Sequence, residues 1–147
     1  MKIVHYIVSV ILLVGLTISC SIEPTEMAYG SDACHFCKMT IVDQQHAAQI
    51  VTKKGKSFKF DAIECMTNQL KDFGTQKVSL FLVNDYDNPG MLIPASEASY
   101  LISPKIKSPM GANLTAFKSS NNAHSFVEDK HDRLLNWQEL LSSYKLQ

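Results

Sequence analysis

No basic run in this chain is longer than the pair Lys53-Lys54, and its 14 lysine and arginine residues are balanced by 14 aspartates and glutamates. Such a surface offers nothing to gather a polyanion, so nucleic-acid binding is set aside. Long apolar runs are missing too. The longest, Ile3 to Ile18, is interrupted by His5, Tyr6, Ser9 and Thr17 and falls short of the ~20 residues that a spanning helix needs. No serine, histidine and acid arrangement, phosphate-binding glycine loop or carboxylate pair can be picked out, and the chain is not read as an enzyme. Cysteine is scarce, with four in all.

The apolar run, preceded by the single charge of Lys2, reads as the core of a signal peptide over residues 1–19. It ends Leu16-Thr17-Ile18-Ser19-Cys20, and a cysteine after a small residue at that point resembles a bacterial lipoprotein cleavage site, with Thr17 where leucine is usual. Cys20 would become the lipidated N-terminus of a membrane-anchored, periplasm-facing envelope protein; a plain secreted protein and an uncleaved anchor are the alternatives. Removing Lys2 leaves 13 basic against 14 acidic residues. Three thiols remain, Cys34, Cys37 and Cys65, an odd number in a compartment that favours disulfides, so at least one stays free or all three have another employment.

The polar, proline-containing stretch Ser21 to Gly30 reads as a flexible tether, giving a lipidated cysteine and tether over residues 20–31. Met39 to Val42 is β-rich. His46–Thr52 and Ser57–Phe60 flank Gly55 as a hairpin, with Phe58 and Phe60 on one face. Asp61 is a plausible N-cap with Glu64 three residues on; Ile63, Met66 and Leu70 recur at helical spacing until Phe73-Gly74. Val78 to Val83 is the clearest strand. The turn formers from Asn84 to Gly90 mark an internal boundary, so the expected units are 32–84 and 85–147. Beyond it, Met91–Pro94, Ser99–Ile102 and Leu114–Phe117 read as strand pieces, and Asn122–Asp129 and Trp137–Tyr144 as helical, with Leu140 and Leu141 inward. The expected class is α+β: two small strand-strand-helix-strand type units with antiparallel sheet.

The chemistry concentrates in DACHFCKM, Asp32 to Met39. Cys34-x-x-Cys37 suits a redox dithiol, half a zinc site, or copper(I). A thioredoxin-like motif opens a helix, whereas β-branched residues follow here. Structural zinc wants two close pairs of cysteine or histidine, and beyond Cys65 there are only the scattered His46, His124 and His131, read as surface positions. Copper(I) accepts two or three soft ligands, thioethers included, and Met39 lies close by, with Met110 in the turn-like SPMGAN.

The blocks DACHFCKMTIVDQQHAAQIV, GKSFKFDAIECM and SPMGANLTAF resemble the NosL family, lipoprotein accessory factors of nitrous-oxide reductase. Lys38 departs from the glycine that many relatives carry before the methionine. The resemblance implies two small strand-strand-helix-strand units and a Cu(I) chaperone that supplies the copper centres of the reductase in denitrifying bacteria. Its partners would be the reductase apoprotein and a membrane copper exporter. It points to a cysteine of the Cys34-x-x-Cys37 loop together with Met110 as ligands. Met39 is a further candidate, and so is His35, which lies between the cysteines and is expected to face solvent. Cys65 and Met66, on an amphipathic helix, read first as core and second as ligands. The lysines at 53, 54 and 56 read as a solvated hairpin tip, with docking to an acidic partner conceivable. Rival classes are an envelope dithiol oxidoreductase, a general copper-binding lipoprotein, and a structural lipoprotein whose Cys34 and Cys37 form a permanent disulfide.

Overall fold

The computed structural model describes residues 22–144; the signal peptide expected at residues 1–19 and the lipidation expected at Cys20 lie outside the described residues. Four strands, β1 (Ala48–Thr52), β2 (Ser57–Phe60), β3 (Val78–Asn84) and β4 (Leu92–Pro94), form an antiparallel sheet in the order β2-β1-β3-β4. A second antiparallel sheet, β6-β5-β7, contains β5 (Ser99–Ile102), β6 (Leu114–Phe117) and β7 (Arg133–Leu135). Helix α1 (Ile63–Phe73) packs on β1, β2 and β6, while α2 (Ser120–Ser125) covers β5 and β6, and α3 (Trp137–Ser143) packs on β5 and β7. The class is α+β, as expected. No helix among the described residues is long and apolar enough to cross a membrane.

All five residues of β1 are buried because it is an inner strand, flanked by β2 and β3, and covered on both faces. Ile50, Phe60, Ile63, Met66 and Leu70 join Tyr100, Leu114, Ala116, Trp137 and Leu140 in one core that runs between the two sheets. Pairing of Tyr100 with Ala116 and of Ile102 with Leu114 puts those residues on the face toward this core. Leu101 and Phe117 alternate to the opposite face, where Ile106 and Ala123 complete a smaller cluster.

Several local expectations change. Met39 to Val42 is not a strand: it makes one isolated bridge, Ala33 with Thr40. The cause is the preceding residue, Lys38, whose φ of 67° turns the chain back on itself. An L side chain there costs about 1–2 kcal/mol. Asp61 does not cap α1; the N-cap is Ala62, with no side-chain hydrogen bond. The Asp61 carboxylate instead turns inward and accepts the Val42 N–H. The helix expected at 122–129 begins at Ser120, capped by the Ser119 side chain, and stops at Ser125. Shortly beyond, the Asp132 carboxylate takes the N–H groups of Glu128 and Asp129 and folds the chain into β7, which the sequence did not suggest.

Part of the stretch read as a tether packs on the fold. Thr25 N–H donates to Gln49 Oε1 at 2.9 Å, Gln49 Nε2 returns a bond to Thr25 O at 2.8 Å, and Met27 enters the core. That exchange satisfies an amide that β1 buries completely. His46 is likewise not a surface residue. It is 3% exposed, with Nδ1 3.0 Å from Asp43 Oδ2 and Nε2 3.2 Å from Thr115 Oγ1. Since Thr115 is fully buried on β6, this is a lock between the β1 approach and the second sheet.

Candidate metal centre

The loop from Ala33 to Thr40 is closed at its base by the Ala33–Thr40 bridge and within it by Cys34 N–H to Met39 O (2.8 Å) and Lys38 N–H to Cys34 O (3.0 Å). His35 N–H donates to Lys59 O at 2.8 Å, which lays the loop along β2. Asp32 strengthens this seating by accepting from Lys59 Nζ at 2.6 Å and from Ala28 N–H at 2.7 Å. Because β2 leads through Asp61 and Ala62 straight into α1, the first turn of that helix arrives beside the same loop. Cys65 stands in that turn, its N–H bound to Ala62 O.

The outcome is a group of three thiols. The sulfurs of Cys34, Cys37 and Cys65 all lie within 4.8 Å of one another, with Cys34 and Cys65 buried, Cys37 half-buried, and none in a disulfide. Three sulfurs around one ion at a bond length of about 2.3 Å would be about 4 Å apart, so a sub-ångström contraction closes them on a metal. Sulfur alone, with no histidine or carboxylate in the group, is the donor set of a soft ion, and it fits copper.

One of the three sulfurs carries the charge. The Cys65 thiol donates to Cys34, and despite burial the N–H groups of Asp61 and Cys37 and the Cys37 thiol add to this, pulling the Cys34 pKa down to about 4. Cys65 is pushed up for the complementary reason: it is the donor to that thiolate, and it is buried. Cys37 moves up as well, through burial and the neighbouring negative sulfur. The cluster therefore holds one proton-free sulfur at neutral pH, ready to take a cation.

The other candidates, His35, Met39, Met66 and Met110, differ in exposure and in how they are held. His35 is on the solvent side, with its ring 4.4 Å from that of Phe58 and 6.4 Å from that of Phe60. Burial, then the positive charges of Lys38 and Lys56, hold its pKa below the ordinary value. Met39 is 54% and Met110 39% exposed, while Met66 is fully buried in the main core. Met110 occupies a turn closed by Gly111 N–H to Ser108 O at 3.0 Å. That turn is fastened to α1, because Ser108 Oγ donates to Glu64 Oε1 and accepts Asn113 N–H at 2.9 Å. Glu64 is the residue before Cys65, so the loop bearing Met110 is hooked to the helical turn that presents the third thiol.

Two acidic residues beside the cluster were not singled out as functional from the sequence. Asp61 and Glu64 are both buried, and Asp61 Oδ1 and Glu64 Oε2 have no hydrogen-bond partner. Burial raises the Asp61 pKa, its bond from Val42 N–H notwithstanding, and the charge on Cys34 raises it further. The odd thiol count was the signal that could have drawn Cys65 into the group.

A family model described as NosL matches residues 25–144. A curated relative, the copper-binding lipoprotein NosL of Stutzerimonas stutzeri, is 29% identical over an alignment of 154 residues that covers 91% of this chain and 78% of the relative. The crystal structure of the copper chaperone NosL from Shewanella denitrificans matches with a TM-score of 0.65 at 21% identity, covering 79% of this chain and 96% of that one, a likeness of fold.

Proposed function

Because the chain belongs to the NosL family, we propose that it is an envelope metallochaperone, lipid-anchored through Cys20, that takes up Cu(I) and delivers it to apo nitrous-oxide reductase. The observation that carries this reading is the three-sulfur group formed by Cys34, Cys37 and Cys65 within 4.8 Å. A structural zinc ion wants four ligands, whereas two or three sulfurs suffice for cuprous ion. Met110, exposed on its hooked turn, and Met39 are the thioethers that would complete or hand on the ion, and His35 stands at the solvent edge. A site of this kind suits a carrier, since a three-coordinate ion leaves an open position through which an acceptor's sulfur or nitrogen can enter before the donor lets go. The names of the relatives, a copper-binding lipoprotein and a copper chaperone, favour a carrier over an enzyme.

Anaerobic titration of the reduced chain with Cu(I) against a competing chelator tests uptake. One ion per chain is expected, and Met110→Leu should weaken uptake with the fold retained. Absence of Cu(I) binding would overturn the proposal. Delivery is tested by mixing the loaded chain with apo-reductase and following copper in the separated proteins. The depressed Cys34 pKa also favours thiol exchange as a second reading. That reading requires turnover of a disulfide substrate and indifference to Met110→Leu.

A further inference from the structure

A second surface feature lies next to the thiol loop. The β1–β2 hairpin tip, the end of α1 and the start of β3 enclose a hollow of about 510 Å³ with Phe58 and Phe73 as its floor and Lys53, Lys54, Lys56 and Lys77 around its rim. The floor rings are 5.7 Å apart and edge-on. Lys56 Nζ stands 4.7 Å over Phe58, and Lys77 Nζ 5.1 Å over Phe73. None of these four lysines has a carboxylate within 4 Å among the described residues. Four uncompensated cations on a chain of zero net charge are a strong local concentration of positive potential.

We propose that this hollow docks an acidic segment of a protein partner that rests one apolar side chain on the floor formed by Phe58 and Phe73 while its carboxylates meet the four rim lysines. The proposal rests on the chaperone reading, because a floor residue of the hollow, Phe58, touches the thiol loop. The His35 ring, between Cys34 and Cys37, packs directly on Phe58. A partner seated in the hollow is brought to the solvent side of the cluster. Long, mobile lysines recognise charge rather than the fixed atoms of a small ligand, whose sites converge a few rigid polar groups. A concave apolar floor is filled by a side chain, not by a flat bilayer surface. Rim charges of this type set encounter rate and salt dependence, and the buried apolar anchor sets residence.

The test uses the full chain in non-ionic detergent, metal-free, titrated with the synthetic peptide acetyl-Asp-Asp-Phe-Asp-Asp-amide and followed by nuclear magnetic resonance. Saturable shifts of the Phe58, Phe73 and His35 ring signals are expected, weakening as salt rises. Lys54→Glu combined with Lys77→Glu, both exposed, should weaken binding about tenfold or more, and so should alanine in place of the peptide's phenylalanine. Equal binding by the charge-reversed variant, or shifts elsewhere, would overturn the docking surface. Shifts with anionic phosphatidylglycerol vesicles but not with the peptide would overturn it in favour of a membrane contact. Since no copper is present, the two readings fail separately. A chain that binds Cu(I) but ignores the peptide loses the docking surface alone, and one that binds the peptide but no Cu(I) loses the chaperone role alone.

Discussion

Cys65 has two roles in the cluster, hydrogen-bond donor to the Cys34 thiolate and sulfur donor to metal, and two substitutions separate them. Serine keeps an O–H to donate but removes the soft atom; alanine removes both. A hydrogen bond to a charged group contributes about 1.5–3 kcal/mol, which corresponds to about one to two pH units on the accepting thiol. Cys65→Ala should therefore raise the Cys34 pKa from about 4 by about that much, whereas Cys65→Ser should leave it nearly in place. Because the folded pKa of Cys34 lies below the ordinary 9.0 of a thiol, its contribution to stability is full above the unfolded pKa and is lost as pH falls toward 4. The stability lost in Cys65→Ala should thus shrink on acidification. For metal the pattern differs. Changes to groups around a ligand cost about 10–100-fold in affinity, so loss of the sulfur itself should weaken Cu(I) binding by about 100-fold or more in both variants. Ultraviolet titration of the thiolate reads the first effect, and chelator competition reads the second. An unchanged Cys34 titration in Cys65→Ala would refute the hydrogen-bonded cluster. Wild-type Cu(I) affinity in Cys65→Ser would refute Cys65 as a donor.

Ser108→Ala removes the partner of buried Glu64 Oε1 and of Asn113 N–H, at a cost of about 1–3 kcal/mol. Urea unfolding measures this, together with faster amide exchange confined to residues 108–113; an unaltered loop would refute the hook. At Asp43, burial pulls the pKa up, but hydrogen bonds from the His46 ring and from the N–H groups of Gln45 and His46 outweigh it and hold the carboxyl below its ordinary 3.8. Its contribution is full above the unfolded pKa and is lost as pH falls through the folded one, so Asp43→Asn should cost about 1–2 kcal/mol at pH 7 and less at pH 3. A difference that does not change with pH would be inconsistent with this. Removing copper with a chelator should leave the fold intact, since the core around Trp137 is held by ring contacts with Phe81 and Tyr100 that need no metal. Bound metal at 100 times its dissociation constant should add only about 2.7 kcal/mol to stability. Loss of the Trp137 fluorescence signature on chelation would show instead that the metal is needed for folding.

Periodicity found what local physics controls. The alternation of Phe58 and Phe60 and the helical spacing of Ile63, Met66 and Leu70 marked the hairpin around Gly55 and helix α1, because those residues face the core; the strand pieces at 99–102 and 114–117 were found as well. Elements decided by a single side chain or backbone angle were missed. Met39 to Val42 has strand composition, but the left-handed Lys38 before it turns the chain so that only Thr40 pairs. Asp61 has capping chemistry, but a free Val42 N–H competed for it and won. His46 looked like an isolated polar residue because, beyond the local Asp43, its second partner Thr115 reaches it only through the packing of one sheet against the other.

The same distinction explains how much of the metal centre was legible. Cys34 and Cys37 are close in sequence, so their spacing announces a site; Cys65 is 28 residues beyond Cys37, where a small buried thiol on an amphipathic face is indistinguishable from core. What joins them is neither a motif nor a propensity but the backbone bond from His35 N–H to Lys59 O, which aligns the loop with β2 and so with the helix that β2 feeds. Two short pieces of chain, each ordinary by itself, become a three-sulfur group because one strand runs from the first to the second. Met110 is hooked by Ser108 to the residue before Cys65. A single helical turn therefore carries the third thiol on one residue and the anchor of the exposed thioether loop on its neighbour, and a change in the orientation of that turn must act on both together.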